Sequence, residues 1–232
     1  MGQRLVALGH EADDLQVVGE IDAGGMSLDE LDEVDCIIDF SIHEQAPETA
    51  AYCQRHGIAL ILGTTGLTDA ERQAVEEAAT HIPIVMAPNF SVGVNLLFAM
   101  VGEAAKMLGN EYDIEVVEAH HRRKVDAPSG TAVRLGEVLA TAIGRTYDDA
   151  IVCGREGQVG ARSTNEIGMS VVRGGDVVGE HTVLYLGDGE QISIAHRATD
   201  RDIFVRGALR AARWVVNQTT PGLYDMGDVL RS

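Results

Sequence analysis

The run Ile58-Ala59-Leu60-Ile61-Leu62, set between Gly57 and Gly63, constrains the fold more than any other stretch. Every side chain in it is apolar, so a strand here buries both faces, the habit of parallel sheets covered by helices on each side. The flanking sequence agrees. Residues 47–56 read as a helix closed by Gly57, and Thr68-Asp69-Ala70-Glu71 is a capping box that starts a second helix. Cys36-Ile37-Ile38-Asp39-Phe40 and Ile82-Pro83-Ile84-Val85-Met86 are further short strands. Earlier, residues 3–11 have helical spacing and residues 15–21 read as a strand ending on Asp22. Such alternation implies an α/β domain with a parallel sheet. Right-handed crossovers then bring Asp22, Ser41, residues 63–66 and residues 87–90 to the carboxyl edge, where ligands bind in such sheets. Taken singly, each loop only turns the chain. An Asp ending an early strand is where dinucleotide folds bond the ribose, though alone it is more often a turn former.

From Gly93 the pattern changes. Residues 95–108 read as a helix, 112–119 as a strand and 131–143 as a helix. Strands at 167–172, 177–186 and 191–197 follow, the last two joined by the hairpin signal Gly187-Asp188-Gly189-Glu190. This predicts an α+β domain on an antiparallel or mixed sheet whose outer face suits a second copy of the chain. Residues 202–216 form a last amphipathic helix before a tail.

With 36 acidic against 18 basic residues and a formal charge of −18, nucleic acid and anionic membranes are poor partners. Cys36, Cys53 and Cys153 are widely spaced and suit free thiols in a reducing cytosol. No run of about 18 apolar residues and no signal-peptide pattern is expected, so the protein reads as soluble and cytoplasmic. Against this acidic background Glu118-Ala119-His120-His121-Arg122-Arg123-Lys124-Val125-Asp126-Ala127-Pro128-Ser129-Gly130-Thr131 stands out. Its imidazoles titrate near neutrality and suit proton transfer. The cations point to an anionic ligand, and Gly130 and Thr131 open a helix whose N–H groups and dipole suit a carboxylate. Metal chemistry is not expected, because His120 and His121 point to opposite faces of a strand and no carboxylate completes a ligand set.

That motif resembles the diagnostic string of the 4-hydroxy-tetrahydrodipicolinate reductase family of bacterial lysine biosynthesis. Gly63-Thr64-Thr65-Gly66, Ala87-Pro88-Asn89-Phe90-Ser91-Val92-Gly93-Val94-Asn95 and the tail Pro221-Gly222-Leu223-Tyr224-Asp225-Met226 also match, so the resemblance covers nearly the whole chain. It implies a dinucleotide-binding Rossmann-like domain at 1–91 and a substrate-binding, tetramer-forming domain at 92–201. Residues 202–232 then return to the first domain. It implies reduction of a cyclic dicarboxylated imine by NADH or NADPH, with hydride added to one carbon and a proton to its neighbour. His120 falls on the proposed acid and Lys124 on the second catalytic group. His121, Gly130 and Thr131 fall on substrate-binding positions. Asp22, Gly63, Thr64, Thr65, Ala87, Pro88, Asn89 and Phe90 fall on cofactor-binding positions. Asp22 is followed by Ala23, where an Arg would help hold a 2′-phosphate, and this favours NADH.

The sequence departs from the family at its start. Met1-Gly2 matches the end of the family's glycine-rich turn, so the first strand and most of that loop are expected to be missing. Either Met1 is an internal methionine taken as the start, which the intact downstream positions favour, or a deletion has occurred. The missing strand belongs between the 15–21 strand and the Cys36 strand, so its loss predicts a gap in mid-sheet and a marginal fold. The alternative function is a non-catalytic remnant that binds dicarboxylates or oligomerises.

Overall fold

The structure is a computed structural model describing residues 1–22 and 25–231. In chain order its elements are α1 (Gly2–His10), β1 (Cys36–Asp39), α2 (Ala46–His56), β2 (Ala59–Leu62), α3 (Asp69–Ala79), β3 (Pro83–Met86) and α4 (Val92–Leu108). There follow β4 (Asp113–His120), α5 (Gly130–Ala142), α6 (Tyr147–Ala150), β5 (Ile151–Cys153), β6 (Ile167–Arg173), β7 (Gly179–Gly187) and β8 (Glu190–Ala198). The chain finishes with α7 (Asp202–Val215), β9 (Gly222–Tyr224) and α8 (Met226–Arg231). It forms two compact units, one from Met1–Val92 with Asp202–Ser232 and the other from Gly93–Arg201.

The first unit is built on a parallel sheet of order β1-β2-β3-β9. Alternate residues of β2 serve opposite cores, which is why the strand is apolar throughout. Ala59 and Ile61 join Val85, Val205, Ala208 and Met226 on the side of α7 and α8. Leu60 and Leu62 join Ala50, Val75 and Ile84 on the side of α2 and α3. Gly57 ends α2 with φ 68°, a left-handed value that favours glycine. Thr68 caps α3: its Oγ1 accepts from Glu71 N at 3.3 Å, and its own N donates to the Glu71 carboxylate at 2.7 Å. A Cβ at Gly207 would lie 1.7 Å from the Phe90 carbonyl oxygen, so glycine is what lets α7 pack this closely.

Two expectations fail here. Residues 15–21 are not a strand, because no strand edge lies beside them: β1 is the outer strand and pairs only with β2 among the described residues. Leu15 packs instead against the α7 core, and Val17 lies against Gly9. The sheet consequently has no gap in its middle. The tail, in turn, contains β9, which adds to β3 with Gly222 opposite Pro83 and Tyr224 opposite Val85.

The second unit carries a mixed sheet of order β5-β6-β4-β7-β8. β4 runs parallel to β6 and antiparallel to β7, and β7 and β8 form the expected hairpin with Gly189 at φ 86°. Along β4 burial alternates strictly, with Ile114, Val116, Glu118 and His120 turned inward. Leu97, Val101 and Ala105 of α4 and Ala132, Leu135 and Leu139 of α5 complete this core. Val92–Glu111 is helix long and apolar enough by composition to cross a membrane, against expectation. Its Leu97-Val101-Ala105 stripe packs into the core, while Leu96, Met100 and Met107 are exposed.

Candidate active site

The inward face of β4 changes chemistry along its length, from Ile114 and Val116 to Glu118 and His120. Glu118 is only 1 % exposed, and it is fully engaged. One oxygen lies 2.6 Å from His120 Nδ1 and accepts from Arg173 Nη1 at 2.8 Å. The other accepts from Arg173 Nη2 at 2.7 Å and from Ser129 N at 2.9 Å. Burial opposes ionisation of Glu118 most strongly, yet Arg173, His120 and the Ser129 N–H together hold its carboxyl below the usual range. His120 is lowered, chiefly by burial and also by the charges of Lys124 and Arg173, with Glu118 pulling the other way. His181, across the sheet from Glu118, is pushed down to about 4 by burial and then by His120. Its Nε2 lies 3.1 Å from Ser129 Oγ, and the His120 and His181 rings meet edge to face at 5.2 Å.

The loop after β4 is tied back to the same groups. Gly174 N donates to His120 O at 3.0 Å, and Arg122 N to Gly175 O at 3.3 Å. Lys124 N donates to His121 O at 3.0 Å, while its ammonium meets Asp126 Oδ1 at 2.9 Å. Arg173 also donates to the Asp126 carbonyl at 2.8 Å. Ser129 caps α5 by accepting from Ala132 N at 3.2 Å, and the space beside exposed Gly130 is open. His120, Lys124, Gly130 and Thr131 thus gather at the end of β4. His121 is half-buried with its Nδ1 buried and unbonded among the described residues, and Arg122 and Arg123 are exposed.

Sequence reasoning gave no role to Glu118, Arg173 or His181. Glu118 had a readable signal, since two residues before His120 on a strand means the same face. Arg173 and His181 arrive by strand register, opposite His120 and Glu118 respectively, which no local pattern shows.

In the first unit the carboxyl ends of β1, β2 and β3 bring residues 39–41, 63–66 and 87–90 to one edge. Thr64 Oγ1 donates to Asp39 Oδ1 at 3.1 Å, and Ser41 N to the same oxygen at 2.7 Å. Asp39 Oδ2 is buried and has no partner among the described residues, leaving an acceptor for a donor from outside the chain. Gly63 lies against the Phe40 ring, Thr65 is exposed, and Gly66 turns with φ 82°. Asn89 Oδ1 accepts from Ser91 N at 2.9 Å, and Pro88 is exposed. Ala87 and Phe90 turn their side chains into the core, so what they offer a ligand is backbone. Hydroxyl, amide, buried acceptor and glycine turn thus lie together at one edge of the sheet. Asp22 is exposed and outside the sheet, its carbonyl accepting from Gly25 N at 2.9 Å. Ala23 lies outside the described residues.

Comparison with known proteins bears on both units. The family models described as dihydrodipicolinate reductase, N-terminus and C-terminus, match residues 1–90 and 93–230. A 4-hydroxy-tetrahydrodipicolinate reductase of Syntrophotalea carbinolica is 47 % identical, covering 99 % of this chain and 94 % of the relative. One of Myxococcus xanthus is 55 % identical, covering 85 % of this chain and 72 % of the relative. Among solved structures, a dipicolinate-bound dihydrodipicolinate reductase from Paenisporosarcina sp. TG-14 shares the fold. Its TM-score is 0.75 at 22 % identity, over 97 % of this chain and 92 % of that one.

Proposed function

The chain belongs to the dihydrodipicolinate reductase family, and on that premise we propose that it reduces 4-hydroxy-tetrahydrodipicolinate to tetrahydrodipicolinate. The observation that carries the reading is the convergence of a buried imidazole, an ammonium and an open helix start at the end of β4. In this reading the first unit holds the nicotinamide nucleotide through Thr64, Thr65, Asn89 and the backbone at Gly63, Ala87, Pro88 and Phe90, with Asp22 toward the ribose. Bound reduced nicotinamide supplies the hydride. The second unit holds the substrate. Gly130 and Thr131 face one carboxylate with the positive end of α5. His121 lends a further polar contact, and the Lys124 ammonium balances the substrate's negative charge. His120 then delivers the proton that the carbon next to the hydride acceptor requires.

NADH is the favoured donor because no Arg follows Asp22 in the sequence. The proposed cytoplasmic assembly is a homotetramer joined through the open face of the second sheet, which light scattering of the purified protein reads directly. The activity is tested by following oxidation of NADH and NADPH with freshly generated substrate. Turnover with both, faster with NADH, is the expected result. No oxidation of either would end the reading, and normal turnover by a His120→Ala, Lys124→Ala double variant would end the site assignment.

A further inference from the structure

We infer that Glu118 is a positioning residue that fixes which nitrogen of His120 carries the working proton. An ionised carboxylate only accepts hydrogen bonds, so the 2.6 Å contact requires the proton on Nδ1. The other ring nitrogen, Nε2, bonds to no described residue. It faces Gly179, where an added Cβ would come within 3.0 Å of it. The ring is thereby held with one nitrogen committed to the protein and the other without a hydrogen-bond partner among the described residues. When His120 is charged, its transferable proton is on Nε2. Delivery breaks that N–H bond as the substrate carbon forms C–H with its own electron pair, leaving neutral imidazole with Nδ1–H still on Glu118.

The same carboxylate also holds the rest of the site. Through Ser129 N it fixes the start of α5, and through Arg173, which grips the Asp126 carbonyl, it fixes the loop bearing Lys124. The charged groups that set the balance at His120 are Glu118 on its own strand, Arg173 on β6 and Lys124 on the following loop, with His181 on β7 packed beside it as a neutral imidazole. Of these only Glu118 favours the imidazolium.

The inference rests on the reductase reading for its kinetic part alone. Nitrogen-15 NMR of the imidazole reads the tautomer without turnover. In the unaltered protein neutral His120 should carry Nδ1–H, and E118Q should release that preference. In kinetics E118Q should lower kcat on the order of 10²-fold with KM within about threefold, because a ring in the wrong tautomer binds but does not deliver. Losing the anion lowers the His120 pKa further, so the fall in rate with rising pH should begin about one unit lower or more. E118D, which keeps the charge, should restore most of that limb. An Nε2–H tautomer in the unaltered protein would overturn the inference. So would an E118Q variant that melts earlier but keeps its pH profile, since that marks a purely structural carboxylate. If E118Q does not fold, the tautomer of the unaltered protein decides alone. Protein that shows Nδ1–H yet never oxidises nicotinamide would sink the reductase reading and leave this one standing.

Discussion

The two sheets treat polar groups in opposite ways. In the first unit β2 is enclosed on both faces, and polar groups collect beyond the strand ends, at Asp39, Thr64 and Asn89. In the second unit the sheet is covered on one face, and β4 carries Glu118 and His120 on that covered face. A strand packed on both sides has no room for a charged partner to reach its middle. A sheet with one open face and a neighbouring strand ending in Arg173 has such a partner beside the carboxylate. A buried charge survives only when paired and hydrogen-bonded, and Glu118 meets that condition four times over.

The largest effect that sharpens this contrast is His120→Ala. Its kcat should fall by roughly 10²–10⁴-fold, while the urea midpoint barely moves because Glu118 keeps Arg173 and Ser129 N. Unchanged kcat would mean the covered face of β4 is structure and not chemistry. Next come paired core truncations. Leu60→Ala and Ile61→Ala should each cost about 2–5 kcal/mol in urea unfolding, alike although they face opposite ways. On β4, Val116→Ala should cost about 2 kcal/mol and Val117→Ala under about 1, since only the first is fully enclosed. Equal costs on β4 would erase the distinction between the sheets.

A third test uses pH. The folded protein keeps His181 neutral down to about 4, whereas an unfolded histidine takes its proton near 6.5. Between those values only the unfolded chain binds the proton, so the contribution is intact above 6.5 and is lost as pH falls toward 4. Below that it stays lost. His181→Gln should flatten this part of the stability curve by a few kcal/mol, and an unaltered slope would show that the acid sensitivity lies elsewhere. The smallest expected effect compares two helix caps. Thr68→Ala and Ser129→Ala should each cost about 0.5–2 kcal/mol, but only the Ser129 variant should raise KM, because α5 opens onto the site.

Much of this was legible because it is local. The double-faced run at β2, the Thr68 capping box, the Gly57 stop and the Gly187 to Glu190 hairpin each occupy a few consecutive residues. So does the string carrying His120, Lys124, Gly130 and Thr131. The failures are non-local. Residues 15–21 have strand composition, but a strand is a relation to a neighbour, and the edge they required is not beside them. β9 is too short to show a period and is strand only because β3 pairs with it. The Arg173 and His181 contacts depend on register between strands distant in sequence. At Phe90 the position was readable and the direction was not, since the ring faces Phe40 at 5.5 Å inside the core.

The placement of α7 and β9 also sets a timetable. Until residues 202–224 have been synthesised, β3 lacks a neighbour on one side and the Ile61 face of the first sheet lacks its covering helix. All the residues of the second unit have by then been made, because they form one unbroken stretch. On a growing chain the unit begun first is therefore finished last, and it waits with an open strand edge and a bare apolar face while the inserted unit closes on itself.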